Sequence, residues 1–189
     1  MYNLKIIIAS TRPSRKGHLV ADWFYNIAKG HKDFENEILD LKEIDLPLLD
    51  EPEHPRLQKY QHEHTKKWSQ AIENADAIVI VTPEYNFGMP ATIKNAIDFV
   101  YNEWNYKPCG IVSYGGLSGG IRSTQMLKQV ITAVKMMPLA ESVNIPFFTK
   151  YIENDVFQGD ETLKKSANVM LKELLKWTIA MKPMRKTSS

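Results

Sequence analysis

The amino-acid sequence predicts an α/β protein with a doubly wound parallel sheet, and three observations support this fold class. Five short strand-like segments recur along the chain of 189 residues. A longer amphipathic segment follows most of them, which is typical of strands joined by crossover helices. No repeat, low-complexity linker or break in composition divides the chain, so we expect one domain over residues 1–182. The remaining tail, 183–189, is expected to be flexible.

The first predicted strand, KIIIAS at residues 5–10, is a short β-branched run suited to burial on both faces of a sheet. Four more segments are predicted as strands, and in chain order they cover residues 36–44, 77–81, 109–114 and 142–148. Right-handed crossovers between such strands restrict the topology to doubly wound forms, with helices on both faces of the sheet.

The predicted helices repeat apolar residues at helical spacing. In the first, within residues 17–31, the stripe comprises Leu19, Val20, Trp23, Phe24 and Ile27. The others are a polar amphipathic segment and three more strongly apolar ones, at residues 56–74, 91–101, 121–135 and 161–180. Pro90 is well placed to start the helix at 91.

Composition excludes several classes of protein. With 24 basic and 22 acidic residues the net charge is +2, so neither nucleic acid nor an acidic membrane surface is an expected partner. The single cysteine, Cys109, supports neither a disulfide framework nor a cysteine-based metal site. His62 and His64 are two positions apart on a predicted helix and should diverge, so no metal site is expected. No segment resembles a membrane span or a secretory signal, and we expect a cytoplasmic protein.

In doubly wound sheets, ligands bind outside the carboxyl ends of the strands, near the point where the strand order reverses. Three loops are predicted to meet at that edge. They are STRPSRKG (10–17), TPEYNFGMP (82–90) and YGGLSGG (114–120).

The first of these loops combines hydroxyl groups with Arg12, Arg15 and Lys16 before a helix N-terminus, a combination that suits a phosphate. It matches neither the GxxxxGK[ST] phosphate loop nor the GxGxxG dinucleotide fingerprint. A P-loop nucleotidase and a dinucleotide-binding domain are therefore not favoured. A solvated capping loop is the simpler alternative.

The other two loops suit a flat ligand. Four glycines in YGGLSGG allow backbone amides to approach a ligand, although a flexible turn would also explain them. In TPEYNFGMP, Pro83 and Pro90 stiffen the loop, Gly88 permits close approach or a positive φ, and Tyr85 and Phe87 offer ring surface. A phosphate beside a planar ring describes a mononucleotide, and flavin mononucleotide (FMN) fits well.

The segment PEYNFGMPATIKNAIDF strongly resembles the signature of the NAD(P)H-dependent FMN reductases, a family that includes quinone- and azo-dye-reducing members. ASTRPSRKG and VSYGGLSGGIR match companion motifs in order and position, so the resemblance extends to about Pro146. It implies a flavodoxin-like fold with strand order 2-1-3-4-5, non-covalent FMN, NADPH or NADH as co-substrate, and a homodimer or homotetramer.

The resemblance also implies the site residues. Those expected to hold the phosphate are Ser10, Arg12, Arg15 and Gly17, with the backbone amides of His18 and Leu19. Those expected to flank the flavin ring are Pro83, Glu84, Tyr85, Asn86, Phe87 and Gly88 on one edge, and Ser113, Gly115 and Gly116 on the other. Many members carry a serine and an asparagine in the first helical turn, where this chain has Gly17, His18 and Leu19.

We therefore expect hydride transfer from NAD(P)H to FMN and onward to a small acceptor such as free flavin, a quinone or an azo compound. No catalytic side chain is required, because the cofactor carries the chemistry. A flavodoxin-type electron carrier is the main alternative, though such carriers have strongly acidic surfaces and this chain is near neutral. A non-enzymatic flavin-binding regulator is another. The EWNY segment (103–106) could wall the flavin, contact a partner subunit or close the core.

Overall fold

A computed structural model describes residues 1–187 of the chain. Its centre is a parallel sheet in the order β2-β1-β3-β4-β5, which confirms the predicted strand order. The strands are β1 Tyr2–Ile8, β2 Phe34–Asp40, β3 Ala77–Pro83, β4 Pro108–Tyr114 and β5 Met137–Ile145. The carboxyl ends of all five strands therefore lie along one edge of the sheet.

Helices cover both faces of the sheet, as predicted. They are α1 Gly17–Ala28, α2 Leu41–Ile44, α3 Glu63–Glu73, α4 Ala91–Asp98, α5 Ile121–Ala133 and α6 Glu161–Met181. Alternate residues of β1 supply the two cores, since Ile6 packs in the layer with α1 and α6 while Ile7 packs in the layer with α3, α4 and α5. Both isoleucines are fully buried, as expected for a strand covered on both sides.

Several predicted boundaries were wrong, and at three of them a local backbone feature overrides the apolar pattern. The second strand stops at Asp40, whose side chain accepts a hydrogen bond from the Lys42 amide and starts α2. The polar helix begins at Glu63, because the 3₁₀ turn Pro55–Leu57 ends at Gln58 with a positive φ of 51°. The fifth strand is β5, which ends before Pro146.

The chain between β5 and α6 forms a hairpin that the sequence pattern did not reveal, made of β6 Ile152–Glu153 and β7 Val156–Phe157. Part of the expected flexible tail is also structured. A 3₁₀ helix covers Lys182–Thr187, and the Arg185 guanidinium bonds Asp76 and the backbone carbonyls of Ala75 and Tyr106. Ser188 and Ser189 lie outside the described residues. No helix within residues 1–187 is long and apolar enough to cross a membrane.

One lysine is buried at the opposite, amino edge of the sheet. Lys107 is 2% exposed, and its ammonium nitrogen donates to the carbonyls of Ile72 and Glu73 at the end of α3. Burial lowers the pKa of Lys107 to about 7, because the charged form loses its hydration there.

This pKa predicts a pH-dependent contribution to stability. The folded-state pKa lies below the ordinary value of 10.5, so the unfolded chain binds this proton more tightly between the two values. The free energy of unfolding should therefore rise with pH over that window. Urea unfolding at several pH values should give the free energy of unfolding of the wild type minus that of Lys107→Met. This value should increase by about 1 kcal/mol per pH unit above pH 7. Parallel curves for the two proteins would contradict this assignment.

Candidate functional site

A cleft of about 360 Å³ opens at the carboxyl edge of the sheet. The loops after β1, β3 and β4 all contribute to it, as the topology required, and so does the loop after β5. Its lining residues are Ser10, Arg12, Ser14, Arg15, Lys16, Pro83, Glu84, Tyr85, Tyr114, Gly115, Gly116, Phe147, Phe148 and Thr149. Eight of the predicted site residues are in this set, namely Ser10, Arg12, Arg15, Pro83, Glu84, Tyr85, Gly115 and Gly116.

The end of the cleft beside β1 carries hydroxyl groups and cationic side chains. Ser10 is buried, and its hydroxyl lies 2.6 Å from the hydroxyl of Tyr85 on the opposite wall. Arg12 and Ser14 are exposed. Within residues 1–187, Arg12 forms no ion pair, whereas Lys16 contacts Asp155 of the β6–β7 hairpin at 2.7 Å. Arg12 is therefore the cation of this loop best able to meet an anionic ligand.

Arg15 has a different partner from the predicted phosphate. Its guanidinium forms a bidentate pair with Asp40, with both N–O distances at 2.5 Å, and it also donates to the Ser10 carbonyl at 2.9 Å. The hydrogen bond to Asp40 raises the pKa of Arg15, although burial opposes that change. Asp40 was not singled out by any sequence pattern, because the residue lies at the end of a strand far along the chain from the loop.

The predicted phosphate ligands at the start of α1 do not line the cleft. Gly17 lies beneath Tyr114, and a Cβ at position 17 would overlap the tyrosine hydroxyl. The Leu19 amide donates to the Lys16 carbonyl at 3.2 Å, and the Leu19 side chain packs in the core. His18 is half-buried. Close packing between α1 and β4 therefore accounts for Gly17 in this structure.

The loop after β3 folds as a tight hairpin turn. Tyr85 and Gly88 exchange two backbone hydrogen bonds of 2.9 Å, and the central residues Asn86 and Phe87 have φ values of 49° and 68°. This is the geometry of a type I′ turn. Gly88 was expected to allow either close approach of a ligand or a positive φ, and the structure gives the positive φ to the two preceding residues. A Cβ at Gly88 would instead meet the Met126 sulfur at 3.3 Å.

Glu84 anchors this turn to α5. Its carboxylate accepts from the Arg122 amide at 3.0 Å and from the Arg122 guanidinium at 2.6 Å. The same guanidinium lies 4.0 Å from the ring centroid of the exposed Phe87, in cation–π geometry. Burial would raise the pKa of Glu84, but the hydrogen bonds from Arg122 and Ser118 outweigh it and lower the pKa. Glu84 is therefore an ionised structural anchor and is poorly suited to act as a general acid.

The glycine-rich loop after β4 is supported by a buried hydrogen-bonded side chain. Gly119 and Gly120 have φ values of 59° and 82°, so the turn requires residues without a side chain there. Ser113 is fully buried; its hydroxyl donates to the Gly119 carbonyl and accepts from the Asn144 amide, both at 2.8 Å. Ser113 therefore supports the loop rather than lining the cleft. At Gly116, by contrast, no atom lies within 4 Å of the position that a Cβ would take.

The loop after β5 is a wall that the sequence analysis missed. Phe147 is 52% exposed and adopts a φ of 47°, which is rare for an aromatic residue. Its amide donates to the Gly116 carbonyl at 2.9 Å, and the Phe148 amide donates to the Gly115 carbonyl at 3.3 Å. Both phenylalanines were predicted to lie in the fifth strand, although Pro146 directly before them signals that the strand ends.

Two residues of the EWNY segment, Glu103 and Trp104, help to close the core, which is one of the three roles that the sequence left open. Trp104 is fully buried, packs edge-on against Trp68 with ring centroids 5.9 Å apart, and donates to the Ile97 carbonyl at 3.1 Å. Glu103 is also buried. The segment directly precedes β4, at the edge of the sheet opposite the cleft, and therefore cannot wall a ligand there.

The two neighbouring histidines do not diverge as expected. His62 is the N-cap of α3 rather than a residue within the helix, so its ring stacks on that of His64 with centroids 5.2 Å apart. Asp50 lies 3.0 Å from the His64 ring. Within residues 1–187, however, no group of three or more His, Cys, Asp or Glu side chains is arranged to hold a metal ion.

Comparison with known proteins points to one family. The family model described as NADPH-dependent FMN reductase matches residues 3–150. An NAD(P)H-dependent FMN reductase of Schizosaccharomyces pombe is 41% identical over 75% of this chain and 72% of its own length. A protein of the same description from a Nectria species is 33% identical over 92% of this chain and 91% of its own.

More distant relatives are also described as reductases, and solved structures share the fold. A NADPH azoreductase of a Bacillus species and a quinone reductase of Pseudomonas putida are each 29% identical, over 69% and 72% of this chain and 70% and 73% of their own lengths. The fold matches FerB, a flavoenzyme NAD(P)H:(acceptor) oxidoreductase from Paracoccus denitrificans, with a TM-score of 0.75, 23% identity and coverage of 96% and 99% of the two chains. An archaeal flavodoxin also shares the fold, with a TM-score of 0.60, 10% identity and coverage of 93% and 98%.

Substitution by alanine should affect stability very differently at two glycines of the loop after β4. At Gly120 a Cβ would lie 2.8 Å from the Ser113 Cβ, and its φ is positive, so Gly120→Ala should lower the free energy of unfolding by about 2 kcal/mol. Gly116→Ala meets open space and should change that free energy by less than about 0.5 kcal/mol. Urea unfolding of the ligand-free proteins measures both. Equal losses in the two variants would show that the loop is not held as described.

Proposed function

The chain belongs to the NADPH-dependent FMN reductase family, and from the geometry of its cleft we propose that it binds FMN there and uses NAD(P)H to reduce a quinone or an azo compound. One observation carries the proposal. The cleft joins a loop with hydroxyl groups and Arg12, which forms no ion pair within residues 1–187, to two loops whose backbones are held by hydrogen bonds. A phosphate and a flat ring on one ligand need those two environments at one edge of the sheet.

The phosphate belongs beside β1 in this proposal. The Ser10 and Ser14 hydroxyls and the Arg12 guanidinium would hold it, since charge-assisted hydrogen bonds from arginine to phosphate are strong. Lys16 is less available because Asp155 neutralises it at 2.7 Å. The near-neutral surface gives no general attraction for anions, so binding must come from these local contacts.

The flat ring belongs between the turn after β3 and the glycine loop after β4. The open space at Gly116 lets a planar group approach the backbone, and Pro83 and Tyr85 form the opposite wall. The bound FMN supplies the hydride-transfer chemistry, and the protein orients it and excludes water. Glu84 remains ionised and occupied by Arg122, so the cleft acts through backbone and shape, with no proton-donating carboxyl group.

The names of the relatives differ in the electron acceptor, so the acceptor of this protein must be identified by experiment. Relatives described as an azoreductase and a quinone reductase support a small, flat acceptor, and the exposed aromatic rings of Phe87 and Phe147 near the cleft suit such a molecule. Anaerobic addition of NADPH to the FMN-loaded protein should bleach the flavin absorbance, and 1,4-benzoquinone or an azo dye should restore it. Bound FMN that neither NADPH nor NADH can bleach would leave only a flavin-binding carrier.

Arg12 should distinguish FMN from riboflavin. Arg12→Ala removes a charge-assisted contact worth about 1.5–3 kcal/mol, so the Kd for FMN should rise by about tenfold or more. The Kd for riboflavin, which lacks the phosphate, should change by less than about twofold. Lys16→Ala is the matched control, because Lys16 lines the same cleft but is already paired with Asp155. Fluorescence titration gives all of these constants, and equal losses for the two ligands would remove Arg12 from a phosphate site.

We also infer that the protein forms at least a homodimer, through a rim patch beside the cleft. Five large apolar side chains, all between 46% and 81% exposed, make up this patch: Phe87, Leu117, Ile121, Met126 and Phe147. Exposed apolar clusters of this kind mark interaction surfaces. A second copy of the chain suits the patch, because the family resemblance implies a dimer or tetramer.

The rim patch gives a direct test of assembly. Leu117→Lys should shift the mass measured by light scattering towards a single chain, because a charge in the centre of an apolar interface is costly to bury. Leu48→Lys is the matched control, since Leu48 is equally exposed but lies outside the patch. A wild-type protein with the mass of one chain at micromolar concentration would refute the dimer.

A further inference from the structure

The pair formed by Arg15 and Asp40 is almost closed off from solvent, with side-chain exposures of 9% and 16%. Its two charges cancel at short range, so the pair contributes little net attraction for an anion in the cleft. All the same, the arginine lies in the loop that faces the proposed phosphate. Its effect on that loop must therefore come from geometry rather than from charge.

Arg15 contacts the loop at two points. Its backbone amide donates to the Arg12 carbonyl at 3.0 Å, which closes a turn around Pro13 and Ser14. Its guanidinium donates to the Ser10 carbonyl at 2.9 Å, at the start of the loop. The side chain therefore holds Ser10 directly, and the backbone of the same residue closes the turn that carries Arg12.

Asp40 is itself held by the sheet. It is the last residue of β2 and lies opposite Ile8 in the β1–β2 register, directly beside the place where the loop begins. One of its oxygens also accepts the Lys42 amide at 3.0 Å. On the other side of the cleft, the Ser10 hydroxyl contacts Tyr85 at 2.6 Å. The chain of contacts Asp40–Arg15–Ser10–Tyr85 thus joins the edge strand to the wall that faces the ring.

We propose that Asp40 is a positioning residue for the FMN phosphate, acting through Arg15 on the backbone of the loop after β1. The inference rests on the proposed function. In this proposal Arg15 supports the loop and does not bind the phosphate itself. Asp40 contacts no ligand and acts by holding Arg15. Recognition of the phosphate then depends on a loop shape that is set by the strand next to it.

The test removes the pair without changing net charge. In Arg15→Met/Asp40→Leu the Ser10 carbonyl loses its donor, and apolar side chains of similar size replace a buried ion pair, an exchange that folded proteins often tolerate. We expect the Kd for FMN to rise about tenfold and the Kd for riboflavin to change less than about twofold. The matched control is Lys5→Met/Glu37→Leu, which removes another ion pair between β1 and β2, away from the loop. It should leave both constants unchanged.

The dependence of the FMN Kd on ionic strength distinguishes a residue that positions the loop from one that binds the phosphate directly. Screening weakens a direct contact between arginine and phosphate, so Arg12→Ala should flatten the dependence of the FMN Kd on ionic strength. Arg15→Met/Asp40→Leu should raise the Kd while keeping the wild-type slope. A slope flattened as much as in Arg12→Ala would make Arg15 a ligand and overturn the proposal. An unchanged FMN Kd in the folded double variant would overturn it as well.

A second variant covers the case in which the double variant does not fold. Arg15→Lys keeps the charge but cannot bind both Asp40 oxygens and the Ser10 carbonyl at once, because an ammonium group lacks the planar fork of a guanidinium. A folded Arg15→Lys protein with wild-type affinity for FMN would equally overturn the proposal. A wild-type protein that binds neither FMN nor riboflavin would instead contradict the proposed function itself.

Discussion

Burial of the central strands on both faces is the constraint on which the rest of the molecule depends. In β3, every residue from Ala77 to Pro83 is buried, so the strand itself can present no functional group to solvent. Polar and flexible residues are then confined to the ends of the strands. Because the strands are parallel, their carboxyl ends share one edge, and loops far apart in the sequence meet there.

The loops that meet at this edge contain little regular structure, yet backbone hydrogen bonds hold them together. Backbone hydrogen bonds connect the loop after β5 to the glycine loop, and Tyr85 to Gly88 within the turn after β3. Two aromatic residues in these loops, Phe87 and Phe147, have positive φ, which costs roughly 1–3 kcal/mol each outside glycine. Strain of this size persists only where the surrounding contacts determine the backbone, and it is common at functional sites.

Most charges around the cleft are paired with each other. Arg15 is bound to Asp40 and Arg122 to Glu84, so two of the arginines at this edge hold loops in place. A ligand therefore meets a shaped surface with few available charges. This arrangement suits a cofactor whose chemistry needs orientation more than acid–base catalysis.

The sequence by itself determined the fold class and the three loops of the cleft, because both depend on local signals, whereas the strand order came from the resemblance to a known family. Runs of β-branched residues, helical stripes and loops rich in glycine or proline can be recognised without knowing what lies beside them. The predicted ends of strands and helices were wrong where a capping residue or a turn sets the boundary, as at Asp40, which ends β2 and starts α2. Only the tertiary structure assigned Arg15 to Asp40, Ser113 to the support of Gly119, and Phe147 to the cleft wall. Each of these contacts joins residues that lie apart in the chain, and the sheet register and loop backbone that bring them together cannot be deduced from residue type alone.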